Sequence, residues 1–229
     1  MQETLKISRR AFLVSAGGAI ISIGLPGVFT RLSNAEQRAL AARPDGRPRL
    51  PPGQLAIGKI QDMGGTPGTT TVANWSMRIY GEVEKPTILS YQELLSLDQV
   101  HITCDIHCVT GWILLDSEWS GVCLPTIMDR VKPRRSGLFV IFEAAGGYTS
   151  NVPIGEVRKE NVILAHSFFG EKLPKEHGAP VRVVIPDRYF YKSAKWLEAV
   201  RVASRDEPGF WERQGYSNSA DPWKEERYQ

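Results

Sequence analysis

"HGAPVRVVIPDRYFYKSAKWL", residues 177–197, decides how the rest of this chain is read. Within it, "PVRVVIP" (180–186) is a short apolar run bounded by prolines, the pattern of a buried strand. Arg182, Lys192 and Lys195 crowd onto the same segment, with His177 at its head. Such a cluster is either a solvated basic loop at a strand end or the holder of a buried anion, because a dianion taken out of water needs cations and amide donors around it. Arg182 is the member able to give a forked contact.

A second stretch carries chemistry. "HITCDIHCVTGW", residues 101–112, holds two cysteines and two histidines within eight positions. Three readings compete. His101, Cys104, His107 and Cys108 are soft or borderline ligands suited to zinc. However, side chains alternate faces along a strand, so His101 and Cys104 would point opposite ways. In the second reading Cys104 and Cys123 are small core residues and the histidines are simply hydrogen-bonded. The third makes Cys108 alone functional, a thiolate presented where the strand "QVHITCDI" (99–106) ends at a cleft.

Composition bounds the rest. At 229 residues, 42% apolar and 23% charged, the chain is long enough for a full core and is neither disordered nor a multi-pass membrane protein. A net charge of +3 with no basic block gives no nucleic-acid partner, and three cysteines do not make a disulfide framework. "WSMRIYGEV" (75–83), "GLFVIFEAA" (137–145), "NVILAHSF" (161–168) and "WLEAVRVAS" (196–204) read as further strands. "SYQELLSL" (90–97) reads as a short helix with a Ser90–Glu93 capping box, and Leu124 to Val131 as another. Strands outnumber short helices, which predicts a single β-rich mixed α+β domain rather than alternating βαβ units.

The ends differ in character. Arg9 and Arg10 precede a mildly apolar stretch diluted by glycine, serine and proline, the pattern of a twin-arginine export signal over residues 1–41. Export predicts a periplasmic protein, held at the membrane if the leader is not removed. Residues 42–74 read as linker and N-terminal loop, with the folded domain starting near Leu55. The tail, 205–229, carries Phe210, Trp211, Tyr216, Trp223 and Tyr228 and is expected to wrap the domain and bury those rings.

"CDIHCVTGW" (104–112), "WSGV" (119–122), "FEAAGGYTSNVP" (142–153) and the opening stretch occur in an order that resembles the molybdopterin-binding domain of the sulfite oxidase family. The resemblance runs from about Trp75 to Val202 and leans to the exported bacterial branch, which includes methionine sulfoxide reductase catalytic subunits. It implies a molybdenum-molybdopterin cofactor with Cys108 as the protein's ligand to the metal. His177, Arg182, Ser193, Ala194 and Lys195 match cofactor-binding positions, and Lys192 joins them as a cation of the same segment. Tyr148 matches by spacing an active-site tyrosine that hydrogen-bonds bound oxygen or passes a proton, and Trp112 is expected to wall the pocket. Trp119 to Gly121 is expected as a turn.

The expected activity is oxygen-atom transfer, chiefly the reduction of an S-oxide or N-oxide by a monomeric catalytic subunit drawing electrons from a membrane haem partner. A sulfite dehydrogenase feeding a cytochrome is the alternative with the same cofactor. It needs a cationic pocket, and Val109, Thr110, Gly111 and Trp112 supply none, leaving Arg188 or Lys192 to reach in from afar. A non-enzymatic zinc module is the alternative of another class.

Overall fold

A computed structural model describes residues 41–229, so the expected twin-arginine stretch lies outside the described residues. Eleven strands form two sheets: β1 (Leu55–Ile57), β2 (Ser76–Gly81), β3 (Thr87–Ser90), β4 (Gln99–His107), β5 (Trp112–Cys123), β6 (Phe139–Ala144), β7 (Tyr148–Pro153), β8 (Ile163–Phe168), β9 (Glu171–Lys172), β10 (Arg182–Val184) and β11 (Leu197–Ala203). Among the described residues the α-helices are short, α1 (Tyr91–Leu95) and α2 (Leu124–Val131). One sheet runs β3-β2-β11-β6-β7. The other runs β1-β5-β8-β10, with β4 paired to β5 and β9 to β8. Both are mixed: β1 lies parallel to β5 and β11 parallel to β2, the other pairs antiparallel.

Local chemistry accounts for the elements. Ser90 caps α1: its Oγ accepts from Glu93 N–H (3.2 Å) while Glu93 Oε2 accepts from Ser90 N–H (2.8 Å), the reciprocal box read from the sequence. α2 opens on Pro125, buries Leu124, Ile127, Met128 and Val131 on one face, and stops at left-handed Lys132. That face joins Met77, Ile79, Phe142, Val200 and Val202 in the main core. A second core under β5 gathers Ile106, Trp112, Leu114, Trp119 and Val184, and Cys108 belongs to it.

The expected turn at Trp119 to Gly121 is instead the middle of β5, the longest strand. Gly121 is there for proximity, not for turning: a Cβ on it would lie 2.0 Å from the Leu164 carbonyl, at a register shift between β5 and β8. Gly121→Ala should therefore cost ~1–3 kcal/mol through forced strand separation, read as a lower urea midpoint at unchanged slope.

The stretch read as linker is built into the fold. β1 comes from it, and Arg49 forks onto Asp105 with bonds of 2.7 and 2.6 Å. The rings of the tail are not all buried. Trp223 packs edge-on against His107 (4.8 Å) and donates to the Pro48 carbonyl (2.8 Å), whereas Phe210, Trp211 and Tyr228 remain 40%, 37% and 67% exposed. Among the described residues no helix is long and apolar enough to cross a membrane.

Candidate active site

β4 ends at His107, so Cys108 is the first residue past the strand, and backbone ties fix it there. Its N–H donates to the Trp112 carbonyl (2.8 Å), and its own carbonyl accepts from Gly111 N–H (3.1 Å) and Gln54 Nε2 (3.1 Å). The turn needs a left-handed residue at Gly111, where φ is 103°. The Cys108 sulfur stands 3.1 Å from Thr110 Oγ1. Burial pushes its thiol up, while the Thr110 hydroxyl and the charge of Arg227 pull it down.

The other three members of the cluster go elsewhere. His101 Nδ1 meets Ser120 Oγ (3.1 Å), Cys104 lies 3.8 Å from Ser117 Oγ, and His107 Nδ1 meets Gln54 Oε1 (3.0 Å). Burial pushes the Cys104 thiol up to about 12, as befits an inert core thiol. No three His, Cys, Asp or Glu side chains among the described residues converge on one point, so the zinc reading has no ligand set.

Cys108 opens on a cavity of about 450 Å³. The wall includes Met63 to Thr66, the Gly146 corner ahead of β7, Tyr148, His177, Arg182, Ser193 and Lys195. Six of the eight residues singled out from the sequence thus meet around one space. Lys192 and Ala194 do not. Lys192 turns into the protein, its ammonium on Asn151 Oδ1 (2.9 Å) and the Glu212 carboxylate, with neither side chain exposed. Ala194 packs in the main core, and its carbonyl accepts from Val183 N–H (2.9 Å). Trp112 is likewise buried in the second core and does not wall the cavity.

The cations that do face the cavity are occupied in part. Arg182 is 1% exposed; its guanidinium donates to the carbonyls of Val183 (3.2 Å), His177 (2.8 Å) and Ser193 (2.8 Å) and lies 4.0 Å over the Phe190 ring. Among the described residues no carboxylate pairs with it, and burial pushes it down to about 9. A guanidinium has five N–H donors, so this one keeps donors and an uncompensated charge at a cavity wall. Lys195 donates to the carbonyls of Gly64 and Glu176 and thereby ties the 62–66 segment to the site. Burial, and then the charge of Arg182, pushes His177 down, so its ring is neutral at pH 7.

Tyr148 begins β7 behind two left-handed glycines, Gly146 (φ 71°) and Gly147 (φ 75°). Its hydroxyl donates to the Tyr191 carbonyl, and burial holds it well above the usual phenol range, so the phenol is neutral. Nothing in the sequence signals that the tail reaches the site. Phe210, Trp211 and Tyr216 line the cavity, with ring centroids 5.2 Å (Phe210–Trp211) and 5.1 Å (Trp211–Tyr216) apart. They are anchored by Phe210 N–H on the Thr149 carbonyl (2.8 Å) and by Glu212 on Lys192.

A cavity of this size, with a buried thiol and an uncompensated guanidinium in its wall, defines a domain built around a large anionic cofactor. A family profile described as "oxidoreductase molybdopterin binding domain" matches residues 63–211. The chain belongs to that family and is an oxidoreductase of the sulfite oxidase type. It is 37% identical over 182 residues to the uncharacterized oxidoreductase YuiH of Bacillus subtilis (strain 168), covering 79% of this chain and 92% of that one. It is 28% identical over 159 residues to the protein-methionine-sulfoxide reductase catalytic subunit MsrP of Xanthomonas campestris pv. campestris, covering 62% of this chain and about half (49%) of the relative. The fold is shared with the sulfane dehydrogenase SoxCD from Paracoccus pantotrophus at a TM-score of 0.58 and 18% identity, over 92% of this chain and 60% of that one.

The residues present fit a molybdopterin. Arg182 supplies positive charge for an anion, and Gly64 (φ 73°) leaves backbone open beside Lys195. Among the described residues Cys108 is the one thiol in the cavity lining.

Proposed function

We propose that this chain is an exported catalytic subunit that reduces a neutral S-oxide or N-oxide by oxygen-atom transfer, with Cys108 as its thiolate to molybdenum. When bound, the cofactor supplies the two-electron oxygen exchange; the overall change consumes two electrons and two protons and releases water. Every other task falls to side chains. Arg182 and Lys195 hold the cofactor's anionic groups, and neutral His177 and Ser193 complete that wall. Tyr148 delivers a proton to the departing oxygen, exchanging its bond to the Tyr191 carbonyl for one to substrate. Phe210, Trp211 and Tyr216 form an apolar collar that receives the substrate and keeps water out.

The observation that carries this reading is that, among the described residues, the lysine and arginine side chains lining the cavity are Arg182 and Lys195, both assigned here to the cofactor, and neither belongs to the turn that carries Cys108. Val109 and Thr110 flank it in the cavity lining, and Arg188, a candidate to help bind sulfite, is held by Glu156 Oε2 (2.6 Å) and the Ser219 carbonyl (2.9 Å). An oxyanion substrate would find rings and a hydroxyl there. Paired Arg9 and Arg10 support export to the periplasm, and a membrane haem protein is the electron donor we assign.

Steady-state kinetics with a reduced viologen as donor test the reading. Aryl and thioether sulfoxides should be turned over, and sulfite should not be oxidised when a cytochrome or ferricyanide is the acceptor. Sulfite oxidation with the higher kcat/KM would overturn it. Trp211→Ala should raise KM for sulfoxide about five- to tenfold with kcat little changed, the signature of lost uniform binding.

A further inference from the structure

Arg227 lies outside the region matched by the family profile and does not line the cavity, yet it grips the loop that carries Cys108. Its Nη1 donates to the Val109 carbonyl, across 118 positions of sequence, and its Nη2 to the Gly53 carbonyl (3.3 Å). The guanidinium sits 5.6 Å from the centre of the buried Tyr189 ring. A side chain at Gly53 would crowd this arrangement: a Cβ there would lie 3.1 Å from Arg227 Nη2 and 3.0 Å from Glu225 Oε1. The arginine is itself held, since Ser217 N–H donates to its carbonyl (3.1 Å) and Tyr216 bridges to Tyr228 beside it.

The turn 108–111 is thus fastened from three sides. The Cys108 carbonyl is taken within the turn and by Gln54, the Gly111 carbonyl by Leu55 N–H (2.8 Å), and the Val109 carbonyl by Arg227. Arg227 is the charged member of this set, and the one contributed by the C-terminal segment. Val109 and Thr110 both line the cavity, so whatever fixes the Val109 peptide fixes the direction in which the Cys108 sulfur enters it.

We propose that Arg227 is a positioning residue: delivered by the C-terminal segment, its guanidinium clamps the Val109 carbonyl and sets the orientation of the Cys108 sulfur toward the metal. The inference rests on the molybdopterin reading above. Partners that orient a metal ligand without touching the metal typically change activity on the order of ten- to a hundredfold when removed.

The test is Arg227→Gln beside Arg227→Lys, in the full chain, as holoenzyme and as cofactor-free protein. Arg227→Gln should keep molybdenum and pterin near wild-type content. Its thiolate-to-molybdenum absorption band should shift, and kcat should fall roughly ten- to a hundredfold with KM within about twofold. In cofactor-free protein the Cys108 and Gly111 amides should exchange hydrogen faster. Arg227→Lys should recover part of the loss, because an ammonium can serve one carbonyl but not the fork of two. A lower melting temperature with unchanged band, kcat and exchange would overturn the proposal and leave Arg227 a structural strap. If wild-type protein holds no molybdenum, the molybdopterin reading fails; the exchange comparison still decides the clamp.

Discussion

Cys108→Ser should leave the chain folded and its pterin in place while turnover falls by on the order of 10³-fold or more. The fold tolerates the change because backbone groups place Cys108: its N–H and carbonyl make the turn's hydrogen bonds, and a serine hydroxyl keeps the approach to Thr110. Exchanging one buried group for another that retains a hydrogen-bond partner costs about 1 kcal/mol. The chemistry does not tolerate it, because a serine oxygen replaces the one thiol among the described residues of the cavity lining. Cys104→Ser and Cys123→Ser should turn over normally; Cys104 faces Ser117, and Cys123 donates to the Glu160 carbonyl (3.1 Å). Retained activity in Cys108→Ser, or a dead Cys104→Ser, would move the metal ligand elsewhere.

Lys192→Met should destabilise the protein by about 3–5 kcal/mol, since removing one partner of a buried ion pair strands the other. Both side chains of the Lys192–Glu212 pair are fully buried. The second oxygen of Glu212 has no hydrogen-bond partner among the described residues, so the carboxylate depends on this ammonium. The pair also pins the segment carrying Phe210 and Trp211, so the variant's KM for sulfoxide should rise. Pterin content should hold in whatever fraction remains folded. The double variant Lys192→Met/Glu212→Leu should recover most of the stability, because a matched apolar pair removes the stranded charge. Urea unfolding with pterin analysis checks all of this. Full stability with lost pterin would return Lys192 to the cofactor site.

The limits of the sequence show most plainly in that lysine. Arg182, Lys192 and Lys195 are close in sequence and look like one basic pocket. The chain, however, passes from β10 through the 3-10 turn Phe190–Lys192 to β11, and sends the three charges to two environments. Arg182 and Lys195 reach the cavity, while Lys192 points into the protein toward the tail. Elements with a local signature were legible: the Ser90–Glu93 box, the apolar face of α2, the buried run of β6. β5 was not, because Ser117, Ser120 and Gly121 break its apolar pattern for reasons that lie on other strands, above all the Leu164 carbonyl against Gly121.

Within the site, Cys108 was legible from its place after a strand and from the family-like order of motifs. The collar was visible only as a surplus of aromatics, which read as core. Arg227 carried no signal at all, since its partner stands 118 positions away.

The most direct measurement is metal and pterin analysis of the protein purified after expression with residues 1–41 included, with pterin read by fluorescence after oxidative release. About one molybdenum and one pterin per chain is the result predicted here. Zinc without pterin, or protein that folds with neither molybdenum nor pterin in cells able to make the cofactor, would contradict it.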